Sequence, residues 1–383
     1  MHIKRRLFEP VKEKLLHSGK IVLLYGPRQA GKTTLGKEIA KATGLRYLYI
    51  NADQLRYIDV ISSRDLNKLR DLTSGYELLF IDEGQRVPDI GLNLKILHDE
   101  LPQLKVMVTG SSSFLLSGRV NESLAGRKKV FTLLPLSTGE LLQHYNPFEL
   151  SEQLTDRLIF GSYPEILNLR STADKLEYLR DVSTSYIFKD ILELENIRYP
   201  YKINDLLKLL AWQTGAEVSI HELCQKLSLN RETVERYLNL LEQSFIIFKL
   251  RAFSRNPRKE ISKSVKYYFY DTGIRNVLID NMNPPDQRND IGGLWENYLI
   301  AERKKYLLFE GIHASQWFWR TYSGTEIDYI EERDGKLFAY EIKYRQKKAS
   351  APPSWKENYG HHFESVNSAN YTGFLNPKKD PDQ

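Results

Sequence analysis

The sequence contains only one cysteine, Cys224, among its 383 residues. A single thiol cannot form an internal disulfide or a thiolate metal cluster, which excludes both kinds of cysteine-based stabilisation. No run of eighteen apolar residues and no charged-then-apolar leader occurs, so we expect a cytoplasmic location and no membrane partner. Neither sign of charge dominates, because the net charge is only +6, and this permits a nucleic-acid partner without requiring one.

What is present is the composition of a globular protein, with 41% hydrophobic and 27% charged residues. The chain is long enough for two to four compact units. Changes in apolar spacing and a Pro/Asp/Asn-rich break at residues 280–290 predict four segments. They are an ATPase core at 1–147, a helical lid or connector at 148–215, a winged helix-turn-helix at 216–272 and a nuclease-like domain at 273–383.

Five short apolar runs alternate with helical stretches in the first segment. Such alternation predicts an α/β fold in which a mainly parallel sheet lies between layers of helices. The predicted strands are residues 21–25, 47–50, 78–81, 106–108 and 130–134.

A phosphate-binding motif follows the first predicted strand, where GPRQAGKTT fits G-x-x-x-x-G-K-[ST] and opens a helical stretch. Glycines let successive backbone N–H groups converge on phosphate oxygens, and the helix N-terminus adds the positive end of its dipole. The motif therefore predicts ATP as ligand, with Lys32 reaching the terminal phosphates and Thr33 binding Mg²⁺. The predicted nucleotide-binding residues are Gly26, Pro27, Arg28, Gln29, Ala30, Gly31, Lys32, Thr33 and Thr34.

Acidic residues end another predicted strand, in the stretch LLFIDE. A metal-bound nucleotide needs an acidic residue near the metal, and hydrolysis needs a positioned water. We therefore predict that Asp82 holds Mg²⁺ and that Glu83 orients or deprotonates the attacking water. After the strand KVMVTG, Ser111, Ser112 and Ser113 either place a hydroxyl beside the same water or form a serine-rich turn.

These stretches, together with SLAGRKKVFTLLPLSTGEL and GSYPEIL, resemble the AAA+ superfamily of ATPases. The resemblance is to the prokaryotic group in which the ATPase module precedes a winged helix and a nuclease-like segment. It implies that Ser111 is the sensor that couples nucleotide state to the lid. It also implies that Arg127 is the arginine finger, with Arg119 as the competing candidate. A finger that acts in trans requires a homo-oligomer, which the sequence does not show.

Two helices joined by a short turn are predicted by SIHELCQKLSLN and RETVERYLNLLEQ. Ser219 and Glu222 match a capping box, and Asn230 can cap the second helix. The stretches FIIFKLRAF and VKYYFYD predict a hairpin after the helices, so the order is that of a winged helix.

Basic residues accompany this predicted winged helix. They suit phosphate contacts more than a base code, so DNA is a candidate partner, although the segment is equally compatible with a packing module. The predicted contacts are Arg231, Thr233 and Arg236 on the recognition helix and Arg255, Arg258, Lys259 and Lys263 on the wing.

Several charged residues in the last segment are candidates for a second site. Glu296 lies near the start of a predicted helix. A hairpin that turns at Asp334-Gly335 is predicted by the later stretch GTEIDYIEERDGKLFAYEIKYR. Glu341 and Lys343 are two residues apart on a strand and so point to one face, which Asp328 can share. Carboxylates and an ammonium that converge in this way can bind one or two Mg²⁺ ions and position a water.

This pattern resembles the PD-(D/E)XK nuclease fold. The resemblance implies that Glu296, Asp328 and Glu341 bind a second Mg²⁺ or Mn²⁺ with Lys343 beside them, and that YTGFL is the closing strand. Asp328 follows isoleucine instead of the proline for which the fold is named, which weakens the motif as a sign of activity.

Three functions remain open from the sequence. The preferred one is an ATP-driven enzyme that binds DNA, the second is a nucleotide-dependent regulatory switch with an inactive nuclease-like scaffold, and the third is a metal-dependent DNA nuclease.

Overall fold

The computed structural model describes residues 2–111, 122–186, 197, 199–254, 264–321, 323–345, 349–360 and 362–377. Several predicted residues lie outside these ranges: Ser112, Ser113, Arg119, Arg255, Arg258, Lys259 and Lys263. The chain divides into two compact units. The first unit comprises Met1–Pro135, Thr184–Ile197 and Gln243–Phe245, and the second comprises Leu136–Ser183, Arg198–Glu242 and Ile246–Gln383.

A five-stranded sheet forms the centre of the first unit, with the order β2-β3-β4-β1-β5. Every neighbouring pair is parallel, which confirms the predicted parallel sheet. Its strands are β1 Ile21–Tyr25, β2 Tyr47–Asn51, β3 Leu78–Asp82, β4 Lys105–Gly110 and β5 Lys128–Thr132.

The central strands of this sheet are buried along their whole length, as is typical of a parallel sheet with helices on both faces. All five residues of β1 and all five of β3 are buried. The helices of the first unit are α1 Phe8–His17, α2 Lys32–Ala42, α3 Leu55–Ile61, α4 Leu66–Thr73 and α5 Ile90–Glu100. Parallel strands bring their carboxyl ends to one edge of the sheet, where the predicted phosphate motif and the end of β3 therefore meet.

The second unit contains a seven-stranded mixed sheet with the order β12-β11-β10-β9-β7-β8-β6. Its strands are β6 Glu217–Val218, β7 Ile247–Ala252, β8 Val265–Phe269, β9 Ser315–Arg320, β10 Glu326–Arg333, β11 Lys336–Ile342 and β12 Phe363–Val366. A parallel pairing of β7 with β9 joins the predicted hairpin to the later strands. The predicted boundary at residue 272 thus falls inside one unit, and the division into four functional segments stays a prediction.

Helices of the second unit pack around this sheet. They are α6 Thr138–Leu141, α7 Pro147–Glu152, α8 Leu154–Phe160, α9 Thr172–Asp181, α10 Pro200–Trp212, α11 Ile220–Leu227, α12 Arg231–Gln243, α13 Thr272–Leu278, α14 Ile291–Phe309, α15 Pro353–Tyr359 and α16 Tyr371–Leu375. The helix α14 contributes to the core of this unit, since Leu294, Trp295 and Leu299 are fully buried within an apolar cluster that also includes residues of the sheet.

The hairpin of β10 and β11 turns at Asp334 and Gly335 as predicted, and both residues have positive φ, at 50° and 73°. A two-residue turn of this kind matches the twist of the flanking strands.

The prediction that YTGFL is a strand was wrong, because Tyr371–Leu375 is a helix whose Tyr371, Phe374 and Leu375 are buried. In a five-residue apolar run, such burial suits a short helix as well as a strand.

A buried ion pair joins α14 to β10. The Arg303 guanidinium donates two parallel hydrogen bonds to the Glu331 carboxylate, at 2.6 and 2.9 Å, and both side chains are at most 1% exposed. Burial of charges in this way is stable only while both partners are present.

We therefore expect Glu331→Gln to lower the free energy of unfolding of the second unit by about 3–5 kcal/mol. Urea unfolding followed by tryptophan fluorescence measures this, because Trp212, Trp295, Trp317, Trp319 and Trp355 all lie in the second unit. The exposed neighbour Glu332 provides the control, since Glu332→Gln should change the free energy by less than about 0.5 kcal/mol. Equal effects from the two variants would contradict the role given to the buried pair.

Candidate functional site

The loop between β1 and α2 has the backbone of a phosphate cradle. Gly26 and Gly31 have φ values of 148° and 92°, and Gln29 at the tip also has positive φ. A Cβ on Gly26 would lie 1.9 Å from the carbonyl oxygen of Leu133, so only glycine fits there. A glycine-containing loop that leads directly into a helix N-terminus is the arrangement that binds phosphate in other proteins.

Two cations hold this loop. Lys32, the first residue of α2, is buried, and its Nζ donates to the carbonyl oxygens of Gly26 at 3.0 Å and Pro27 at 2.8 Å. Arg5, also buried, donates to the carbonyl oxygens of Ala30 at 2.7 Å and Leu134 at 2.6 Å. These hydrogen bonds give the carbonyls of Gly26, Pro27 and Ala30 side-chain partners within the fold.

Asp82 ends β3 directly beside the loop and is buried. It accepts hydrogen bonds from the hydroxyls of Thr33 at 3.0 Å, of Tyr49 at 3.0 Å and of Thr109. Burial and the nearby Asp82 carboxylate raise the pKa of Tyr49, which therefore remains a donor. A hydroxyl and a carboxylate oxygen side by side are ligands that suit Mg²⁺, so Thr33 and Asp82 fit the ion that the motif implies.

Glu83 has a left-handed backbone, with φ 59°, which is unusual for a residue with a side chain. Its N–H donates to the Thr109 hydroxyl at 3.2 Å, and its carboxylate accepts from the Gln85 side-chain amide. The Gln85 side-chain oxygen in turn accepts from the backbone N–H of Ser111 at 3.2 Å. Gln85 therefore links the predicted base Glu83 to the predicted sensor Ser111, which is buried.

Arg127 lies at the opposite edge of the sheet from the loop. Its carbonyl accepts from the N–H of Ile21, the first residue of β1, whereas the loop follows the last residue, Tyr25. A five-residue strand separates these edges by about 16 Å. The Arg127 guanidinium pairs with both oxygens of Asp99, at 2.8 and 3.0 Å, which helps to hold the pKa of Asp99 at about 2. Arg127 therefore does not serve the phosphate loop of its own chain.

The four residues predicted for the nuclease-like site come together in the second unit. The Lys343 Nζ lies 3.3 Å from Asp328 and 2.7 Å from Glu341, and the backbone N–H of Ile342 donates to Asp328 at 2.7 Å. Burial raises the pKa of Glu296, and the charge of Asp328 raises it further. The predicted convergence of Asp328, Glu341 and Lys343 on one face is thus present.

A second lysine, absent from the sequence prediction, lies within this cluster. The Lys266 side chain is 2% exposed, and its Nζ lies 3.2 Å from Glu296 and in contact with Glu326. Tyr268 also donates to Glu296, at 2.6 Å. Burial is the largest influence on Glu296 and raises its pKa to about 7, although Lys266 acts in the opposite direction.

These carboxylates do not fit the metal that the nuclease resemblance implies. The ammonium of Lys343 bridges Asp328 and Glu341, and that of Lys266 bridges Glu296 and Glu326. Among the residues that the structure describes, no three His, Cys, Asp or Glu side chains are grouped so as to hold a metal ion. Each of the four carboxylates therefore contacts an ammonium group.

The predicted recognition helix is α12. Asn230 caps it by accepting from the N–H of Thr233 at 2.8 Å, as predicted, and Arg231 pairs with Glu235 at 2.7 Å. Ser219 accepts from the N–H of Glu222, but the Glu222 carboxylate pairs with Lys226, so only half of the expected capping box forms. DNA contact through this helix stays a prediction.

No helix in the described ranges is long and apolar enough to cross a membrane.

Comparison with known proteins places this geometry in a family. Residues 18–142 match the model described as AAA domain, and residues 151–285 and 291–363 match two domains of unknown function, DUF8612 and DUF4143. An uncharacterized protein of Methanocaldococcus jannaschii is 31% identical over 351 residues, or 86% of this chain and 76% of that protein. The chain belongs to the same family as this archaeal protein. Its first unit is an AAA-type P-loop ATPase domain.

Another relative matches a similar share of the chain. An uncharacterized protein of Mycobacterium tuberculosis is 29% identical over 352 residues, which is 90% of this chain and 74% of that protein. Among solved structures, a Walker-type ATPase of Pyrococcus abyssi is similar at 15% identity, with a TM-score of 0.47 and coverage of 72% of this chain and 96% of that one. That structural likeness by itself establishes no function.

Tyr49 is the residue of the ATP site whose role is most directly testable. Loss of its hydroxyl removes one of the donors to Asp82 and leaves that carboxylate less firmly placed beside Thr33. We expect Tyr49→Phe to raise the Mg²⁺ concentration needed for half-maximal ATP turnover several-fold, while nucleotide binding without Mg²⁺ is unchanged. Tyr47→Phe, on the same strand but exposed, should leave both quantities unaltered. Equal Mg²⁺ dependence in Tyr49→Phe and wild type would contradict this role.

Proposed function

We propose that this chain binds ATP with Mg²⁺ and hydrolyses it. The observation that carries the proposal is the 3.0 Å contact between Thr33 and Asp82 beneath a loop held open at Gly26 and Gly31. Thr33 and Asp82 would hold a Mg²⁺ ion there, and the ion would offset the charge that develops when the terminal phosphate leaves. The match of residues 18–142 to an AAA domain supports the same chemistry.

Each residue of the site has a distinct part in this proposal. Lys32 holds its ammonium at the mouth of the loop, where it can exchange its carbonyl partners for phosphate oxygens. Thr33 and Asp82 place the metal. Glu83 orients a water and accepts its proton, for which its carboxylate must leave the amide of Gln85. Ser111 senses the nucleotide through the same Gln85 side chain.

The decisive test separates ATP binding from ATP turnover. Glu83→Gln should bind ATP with a Kd within about twofold of wild type but hydrolyse it at least about 100-fold more slowly, because the general base is lost. Lys32→Ala should lose binding. The control is Glu100→Gln, at the exposed end of α5, which should match wild type. Fluorescent-nucleotide titration and phosphate release measure the two steps, and wild type without Mg²⁺-dependent turnover, with or without DNA, would refute the proposal.

Arg127 enters this proposal as an arginine finger only for a neighbouring copy of the chain. Its place at the far edge of the sheet prevents action on its own loop, and to act in trans it must exchange its pairing with Asp99. A homo-oligomer is therefore part of the proposed mechanism, as in the resemblance to AAA+ proteins. We retain cytoplasmic location and DNA contact through α12 as further parts of the proposal.

For the second unit we favour the regulatory alternative, in which nucleotide turnover controls a nuclease-like scaffold that does not cut. The specific observation is that Lys266, which the nuclease resemblance does not include, lies between Glu296 and Glu326. In this alternative the second unit recruits a partner or regulates at DNA.

A cleavage assay discriminates between scaffold and nuclease. We expect wild type and Lys343→Ala to give equal, background products on linear, nicked and supercoiled DNA with either Mg²⁺ or Mn²⁺. Gel analysis of end-labelled substrates measures this. Cutting by wild type that is absent from Lys343→Ala would establish the nuclease instead and refute the scaffold.

A further inference from the structure

Lys266 is unusual because its charge lies deep within the second unit. It projects from β8, is 2% exposed, and has its Nζ 5.1 Å from the centre of the Phe318 ring. A lysine so buried would ordinarily lose its proton, since burial disfavours the charged form. The carboxylates of Glu296 and Glu326 contact the Nζ and offset this cost of burying the charge.

The groups that face Lys266 come from three elements. Glu296 projects from α14, Glu326 and Asp328 project from β10, and Tyr268 lies two residues along β8 and bonds to Glu296. From β9, the Arg320 guanidinium lies 3.8 Å from Glu326. This cluster, which we term the inner acid cluster, consists of Glu296, Glu326 and Asp328.

The contacts within the inner acid cluster suit an ammonium. The Lys266 Nζ donates to Glu296 at 3.2 Å and also contacts Glu326. An ammonium has three donors and can serve several carboxylates at once. A divalent ion at the same point would be repelled by the fixed positive charge.

We propose that Lys266 is the resident cation of the inner acid cluster, occupying the space that a divalent metal would need, and that removal of its ammonium opens a divalent-cation site. The second unit then requires no metal for its fold. This inference concerns the second unit alone and stands or falls independently of ATP hydrolysis by the first.

Mn²⁺ binding to the nucleotide-free full chain tests the first part. We expect wild type and Asp328→Asn to bind equal amounts of Mn²⁺ by electron paramagnetic resonance, because Mn²⁺ bound at the P-loop contributes equally to both. Mn²⁺ bound by wild type and lost in Asp328→Asn would overturn the proposal.

Lys266→Ala tests the second part. In EDTA its unfolding midpoint should fall by roughly 10 °C, because the buried carboxylates lose their partner, and Mn²⁺ should restore it with one additional ion bound per chain. Lys266→Ala/Glu296→Gln should bind no additional ion. A variant that folds only when Mn²⁺ is present supports the proposal equally.

Lys305→Ala is the matched control, because Lys305 is also buried and pairs with a glutamate, Glu302, outside the inner acid cluster. Its midpoint should fall without any recovery in Mn²⁺. If Lys266→Ala binds no more Mn²⁺ than wild type, or fails to fold both with and without Mn²⁺, the proposal is wrong.

Discussion

The carboxylate of Asp82 is the constraint around which the nucleotide site is arranged. A buried carboxylate is stable only when hydrogen-bond donors surround it, and here the donors come from three elements: Thr33 on α2, Tyr49 on β2 and Thr109 on β4. These contacts tie the start of α2 to the edge of the sheet. Because the phosphate loop lies between β1 and α2, its place relative to the metal ligands depends on the same carboxylate.

In the second unit, buried carboxylates are stabilised by positively charged side chains instead of hydroxyl groups. Arg303 neutralises Glu331, and Lys266 neutralises Glu296 and Glu326, all inside an otherwise apolar core. A buried pair of this kind contributes less to stability than to uniqueness, since the wrong packing leaves a charge without its partner. Both pairs connect α14 to the sheet, so they specify how that long helix lies on its strands.

The fold of the first unit was largely predictable because its strands are buried on both faces and so stand out as apolar runs. The hairpin of β10 and β11 was predictable for another reason, since Asp-Gly is a strong turn signal. The short helix at Tyr371–Leu375 was not, because five residues are too few for apolar spacing to distinguish a helix from a strand.

Some residues of the candidate sites could likewise be predicted from the sequence, and others could not. Lys32, Thr33 and Asp82 belong to local motifs with fixed spacing, whereas Tyr49 contacts the site only through tertiary structure. Gln85 lies two residues after Glu83, but its contact with Ser111 also depends on tertiary structure. Lys266 was missed because it lies within the strand VKYYF, 30 and 60 residues before the glutamates with which it pairs. An isolated lysine in an alternating strand is ordinarily a solvent-facing residue, and only the packing of α14 and β10 reveals otherwise.

The contacts of Arg5 show that the structural ATPase domain begins before the residues that match the AAA family model. The sequence that matches the AAA domain begins at residue 18, after this arginine, yet the Arg5 guanidinium holds the carbonyls of Ala30 and Leu134. A chain shortened to the matched residues would keep every motif but lose the donor to the Ala30 carbonyl. The phosphate loop would then adopt several backbone conformations, and nucleotide affinity would decline although each residue that touches the nucleotide is retained.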